Sequence, residues 1–173
     1  MIQTKLVHKI KVYHCQGRRI KTLSAINKTV LVIPDMHIPY EHPCSVKFLK
    51  AIKLKFNPSI IINLGDEIDG ASISMHDKDP DMPFTPSKEF EECIKKIRPL
   101  YKTFPKMYLC ESNHGSLVFR RAKKFGIPIH VMKSYQDILG TPEWEWHEDY
   151  LLKTNSIVTG KQGYRGLIHT DTF

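Results

Sequence analysis

With 173 residues, 41% of them apolar and 25% charged, the chain has the make-up of one soluble domain able to bury a core. No apolar run is long enough to cross a bilayer, and MIQTKLVHKIKVYHC breaks its apolar residues with Lys and His, unlike a secretory signal, so a cytoplasmic protein without a membrane partner is expected. Twenty-six basic against 18 acidic residues leave a net charge of +8, which favours anionic partners such as phosphorylated compounds or nucleic acid, although the lysines are dispersed.

Residues 5–26 read as two extended segments, LVHKIKVYHC and IKTLSAI, around the turn-like Gln16-Gly17-Arg18-Arg19. Residues 1–27 are therefore expected to form an N-terminal extension built as a β-hairpin, ahead of a main domain over 28–173. TVLVI (29–33) is a continuous β-branched run, the pattern of a strand buried on both faces. Ser45 is placed to cap a helix whose apolar residues Val46, Leu49 and Ile52 recur every third position. SIIINL (59–64) predicts a second buried strand, and HDKDPDMPFTP (76–86) an exposed loop. Ser87 opens a second helix with Phe90, Ile94, Ile97 and Leu100 on one face, KMYLC (106–110) is a third strand, and residues 116–125 read as helical. Beyond residue 140, WEWHE, YLLKT, SIVTG and YRGLIHTDTF predict short strands that extend the sheet in antiparallel or mixed fashion. Alternating strands and helices argue for a layered α/β fold with a mostly parallel sheet flanked by helices. Ligands of such sheets bind beyond the carboxyl ends of the strands.

Polar residues gather where those ends should be. Asp35-Met36-His37 follows the first strand, and residues two apart on an extended segment share a side, so both can reach one ion. Gly65-Asp66-Glu67-Ile68-Asp69 follows the second, with glycine allowing a tight turn. Asn113-His114 follows the third, an amide oxygen beside a titratable ring. Oxygen and imidazole donors suit Mn²⁺, Fe or Zn²⁺. Cys15, Cys44, Cys93 and Cys110 are scattered, with no CxxC pair, and read as reduced, buried thiols.

The order Asp-x-His, Gly-Asp-x-x-Asp, Asn-His resembles the calcineurin-like metallophosphoesterase superfamily, and the text around IPDMHIPYEHP and HDKDP resembles its bacterial and phage-type branch. Each motif alone also fits a structural Asp or His, but three in order at three strand ends form a specific pattern. The resemblance covers roughly residues 29–173. It implies a layered metallophosphoesterase-type sandwich holding two divalent transition metal ions, Mn²⁺ first, with Fe, Zn²⁺ or Ni²⁺ as alternatives. Asp35 and His37 would bind the first ion, Asp66 would bridge the pair, and Asn113 would bind the second. His169 resembles the strand-terminal His of a fourth motif, also a ligand of the second ion. His114 would serve as general acid or transition-state contact, oriented by Asp69.

The implied reaction is hydrolysis of a phosphomonoester or phosphodiester, possible substrates including a nucleotide or nucleic acid. A metal-activated hydroxide would attack phosphorus in line, with no covalent intermediate. Ser112, Gly115 and Thr170 depart from the family pattern. The fifth motif, Gly-His-x-His, is not among the 173 residues, so the C-terminal strands are expected to be incomplete. Replacement ligands would then come from His42, His76 or a second chain, though both histidines read first as loop residues. The alternative reading is a truncated, catalytically impaired remnant of the fold or a nucleic-acid-binding module. Arg120 and Arg121 read as a solvated helix face, and Trp144 and Trp146 as core or edge packing.

Overall fold

A computed structural model describes residues 19–74, 76–77, 80–155 and 162–167. In chain order the described elements are β1 (Ile20–Ser24), β2 (Val30–Ile33), α1 (Ser45–Phe56), β3 (Ile60–Asn63), α2 (Pro86–Thr103), β4 (Met107–Cys110), α3 (Leu117–Lys124), α4 (Tyr135–Leu139), β5 (Trp144–His147), β6 (Asp149–Asn155) and β7 (Gln162–Leu167). Single 3-10 turns lie at Ala71–Ile73 and Ile129–Val131.

The three β-branched or apolar runs become the adjacent strands β2, β3 and β4, and β5 joins them in the order β2-β3-β4-β5. Every pairing in this sheet is parallel, with Val30 opposite Ile60, Ile62 opposite Tyr108 and Leu109 opposite Trp146. Parallel strands need both faces covered, and this sheet has two different covers. On one face Ile33, Ile61, Met107, Leu109 and Trp144 pack with Leu49 of α1, with Cys93, Ile97 and Leu100 of α2, and with Leu139 of α4. Ile97 and Leu100 are wholly buried, each contributing about 2 kcal/mol through lost apolar exposure. On the other face Ile60, Ile62 and Cys110 meet Leu23, Ala25, Tyr150 and Leu152. The period-two alternation along Ile60-Ile61-Ile62 sends successive side chains to the two layers.

Those last partners belong to a second sheet, β1-β6-β7, in which β1 runs parallel to β6 and β6 antiparallel to β7. Here the structure departs from the expected single extended sheet. β5 continues the first sheet in parallel, whereas β6 leaves it and, with β1, covers its face, and β7 pairs with β6. IKTLSAI supplies β1, so part of residues 1–27 pairs with β6 of the main domain. Its expected hairpin partner, LVHKIKVYHC, lies outside the described residues, as does Thr170.

Two helix starts also differ. Cys44 holds the cap position of α1 without a side-chain bond, and Ser45 is its first helical residue. In α2 the cap is Thr85, whose hydroxyl accepts from Lys88 N–H at 3.5 Å, followed by Pro86 at a position where the missing N–H costs nothing. Cys93 and Cys110 are buried, as expected, but Cys44 is exposed. No helix among the described residues is long and apolar enough to cross a membrane.

Candidate metal centre

Because β2, β3 and β4 are parallel and adjacent, their carboxyl ends open onto one edge. The first two continue to bond after leaving the sheet. The N–H groups of Met36 and His37 both donate to Asp66 O, at 3.0 and 2.8 Å, Ile38 N–H donates to Glu67 O at 3.2 Å, and Asp69 N–H returns to Ile38 O at 2.9 Å. This zipper places residues 36–38 beside 66–69. It holds His37 at φ 48° and Asp66 at φ 49°, left-handed conformations that cost about 1–2 kcal/mol each in a non-glycine residue. Gly65, at φ 107°, makes the turn into Asp66 possible.

The side chains on this zipper form a chain of donors. His37 Nδ1 lies 2.7 Å from Asp69 Oδ1, which assigns its ring proton to that nitrogen. The remaining Nε2 then presents a lone pair, 3.7 Å from Oδ2 of Asp66, a side chain only 1% exposed. Two electron-pair donors facing each other at that distance are too far apart to share a hydrogen bond and are suited to a cation between them. A histidine that gives its other ring N–H to a carboxylate is the usual support for a metal-ligating imidazole. His114 Nδ1 lies 2.5 Å from the backbone oxygen of Asp69, and its ring meets His37 edge to face at 4.8 Å. A carbonyl accepts only, so His114 carries its proton on Nδ1 and turns Nε2 outward. The Asp69 carboxylate thus orients His37 chiefly, lying 3.4 Å from His114, and the Asp69 carbonyl orients His114.

The third strand end is held differently. Ser112 Oγ accepts from Asp66 N–H at 2.9 Å and from Gly115 N–H at 3.0 Å, and His114 N–H points at Asp66 Oδ1 at 3.4 Å. Asn113 Oδ1 is buried and has no hydrogen-bond partner among the described residues. An orphaned buried acceptor is costly unless a cation or donor meets it, so the amide oxygen fits the metal role expected for it. Arg120 donates to Asn113 O at 2.6 Å, while Arg121 ties α3 to the 71–74 turn through Ile73 O and Ser74 O at 2.9 and 2.6 Å. Arg121 is therefore a half-buried staple, not a solvated face.

His37, Asp69 and His114 are the group of side chains among the described residues whose ligand atoms lie within 4.8 Å of one another, and Asp66 abuts them. Asp35 sits at the same strand end but is exposed and outside that group. His169 lies outside the described residues. His42 accepts from Cys44 N–H at 3.1 Å in an exposed loop, and His76 is exposed.

Two residues the motif pattern treats as filler matter here. Glu67 is fully buried, accepts from Trp146 Nε1 at 3.2 Å, and is pushed up to about 7 by burial. A Cβ at Gly115 would press on Ser112 Oγ at 3.0 Å and Glu67 Oε1 at 3.2 Å, so any side chain there must displace one of them by a few tenths of an ångström. Two of the departures from the family pattern, Ser112 and Gly115, thus fit one another and Glu67. Trp144, by contrast, is core, donating from Nε1 to Phe104 O at 2.8 Å.

The fold is a mixed α/β domain with parallel strand pairing and helices against one sheet, carrying a carboxylate–imidazole cluster at the carboxyl edge of that sheet. Set against models of known protein families, curated proteins and solved structures, the chain matches none.

Proposed function

We propose that this chain is a metal-dependent phosphoesterase of the calcineurin-like type, with a layered metallophosphoesterase sandwich, acting on a phosphomonoester or phosphodiester. The observation that carries the reading is the facing pair His37 Nε2 and Asp66 Oδ2, 3.7 Å apart, with the His37 ring fixed from behind by Asp69. Asp35, His37, Asp66, Asn113 and His169 are the residues proposed to hold two divalent ions, Mn²⁺ foremost. Such ions, when bound, supply charge neutralisation and a lowered pKa for water.

The remaining chemistry belongs to the chain. Asp69 fixes the His37 tautomer. The Asp69 carbonyl holds His114 through Nδ1–H, leaving Nε2 as the nitrogen that, in the doubly protonated imidazolium, would contact a phosphoryl oxygen or hand a proton to the leaving oxygen. Asn113 contributes an acceptor already stripped of water.

The test is turnover of nitrophenyl phosphate and bis-nitrophenyl phosphate with Mn²⁺. Activity that EDTA abolishes and that Asp66→Asn lowers at least about a hundredfold is expected. Equal turnover by both proteins defeats the reading. One observation favours a second reading, a catalytically impaired remnant of the fold or a nucleic-acid-binding module: among the described residues only His37, Asp69 and His114 come within 4.8 Å of one another as a group of imidazole and carboxylate atoms, a group sized for one ion and not two. Two equivalents of Mn²⁺ per chain support the enzyme, and one equivalent without turnover supports the second reading.

A further inference from the structure

The loop that carries Asn113 and His114 has another lining. Ser112, Gly115 and Ser116 border an open cleft of about 490 Å³, and none of the candidate metal donors lines it. That volume lies within the range of small-molecule sites. Aromatic rings wall it. Tyr135 stacks on Trp146 with centroids 5.9 Å apart and 28° between the planes, and Phe119 meets Tyr135 edge to face at 4.9 Å. Lys133 and Arg19 also line the cleft and are exposed, Arg19 being paired with Glu111.

We propose that this cleft binds a nucleotide, its base against the Trp146–Tyr135 wall and its phosphate at Lys133 and Arg19. A stacked aromatic wall selects a flat ring, and Lys133, together with Arg19 shared with the cleft-lining carboxylate of Glu111, selects an anion attached to it. Neither feature alone asks for both. The site is independent of the metal reading, because its walls hold no metal donor. It nonetheless shares the backbone of residues 112–116 with Asn113 and His114, so its occupant rests against the segment that positions them.

Calorimetric titration in EDTA tests this, on the wild-type chain and on Asp66→Asn, with AMP and UMP as probes and adenosine and inorganic phosphate as controls. AMP or UMP is expected to bind at least about tenfold more tightly than either control, equally in both proteins. Lys133→Glu should weaken nucleotide binding about tenfold, the effect of one charge-assisted contact, and leave adenosine unaffected. Circular dichroism confirms that each variant is folded. Nucleotide binding no tighter than phosphate or adenosine, or indifference to Lys133→Glu, overturns the proposal. Because no metal is present, that failure leaves the phosphoesterase reading standing.

Discussion

The two halves of the candidate centre are built by different means. Residues 36–38 and 66–69 are joined backbone to backbone, four bonds that no side-chain substitution removes. Residues 112–116 are attached to Asp66 through side chains instead, the Ser112 hydroxyl and the Asp66 carboxylate. A backbone zipper makes the His37–Asp66 half tolerant of change in shape and intolerant of change in chemistry. The Asn113–His114 half depends on both.

Four substitutions sharpen that contrast. The largest effect belongs to Asp66→Asn, which keeps the zipper and the fold yet removes the buried charge. Mn²⁺ affinity measured by titration should fall at least about a hundredfold, with the urea midpoint of the metal-free protein little changed. Next is the pH dependence of the buried acid. Glu67 is raised from 4.5 to about 7 by desolvation, so the folded state holds an extra proton between those values. Stability of the metal-free protein should therefore fall as pH rises through that window, by roughly 3 kcal/mol in all. Urea denaturation in EDTA at pH 4.5 and 7.5 measures the difference, and Glu67→Gln should flatten it. The same pH dependence in wild type and Glu67→Gln would show that Glu67 does not hold the extra proton.

Ser112→Ala comes third. It leaves the N–H groups of Asp66 and Gly115 without their acceptor and should cost about 2 kcal/mol in the same assay. An alanine at position 112 as stable as serine would mean that water reaches those amides. The smallest effect is expected from Asp69→Asn, which preserves a hydrogen-bond acceptor for His37 and leaves the carbonyl that holds His114. Metal affinity should drop about tenfold, the lower end of such supporting contacts. A loss as large as that of Asp66→Asn would make Asp69 a direct ligand.

How much of this was readable depends on distance along the chain. SIIINL and KMYLC announce buried strands because burial on both faces demands unbroken apolar runs, whereas TVLVI, read the same way, forms the edge strand β2 with Val32 39% exposed; the motif residues follow from strand order. The second sheet was not readable. β1 pairs in parallel with β6, and nothing local in IKTLSAI names so remote a partner. α4, five residues long, is too short to show a helical period. Within the site, Asp35, His37, Asp66, Asp69, Asn113 and His114 carry types that advertise chemistry. Ser112, Glu67 and Trp146 do not, because their roles arise only when three segments meet. The split role of Asp69, carboxylate to one ring and carbonyl to another, is likewise a fact of three dimensions.

The pairing of β1 with β6 also dictates an order of events during synthesis. The core on the helical side draws most of its residues, from Ile33 to Leu109, from segments that follow one another closely, and Leu139 and Trp144 complete it. The opposite core is closed only by β6. Leu23 must wait for Leu152, and until the ribosome has delivered it the underside of β3 remains wet. An interrupted product that stops short of β6 would expose Ile60 and Ile62 to neighbouring chains, making it a client for chaperones.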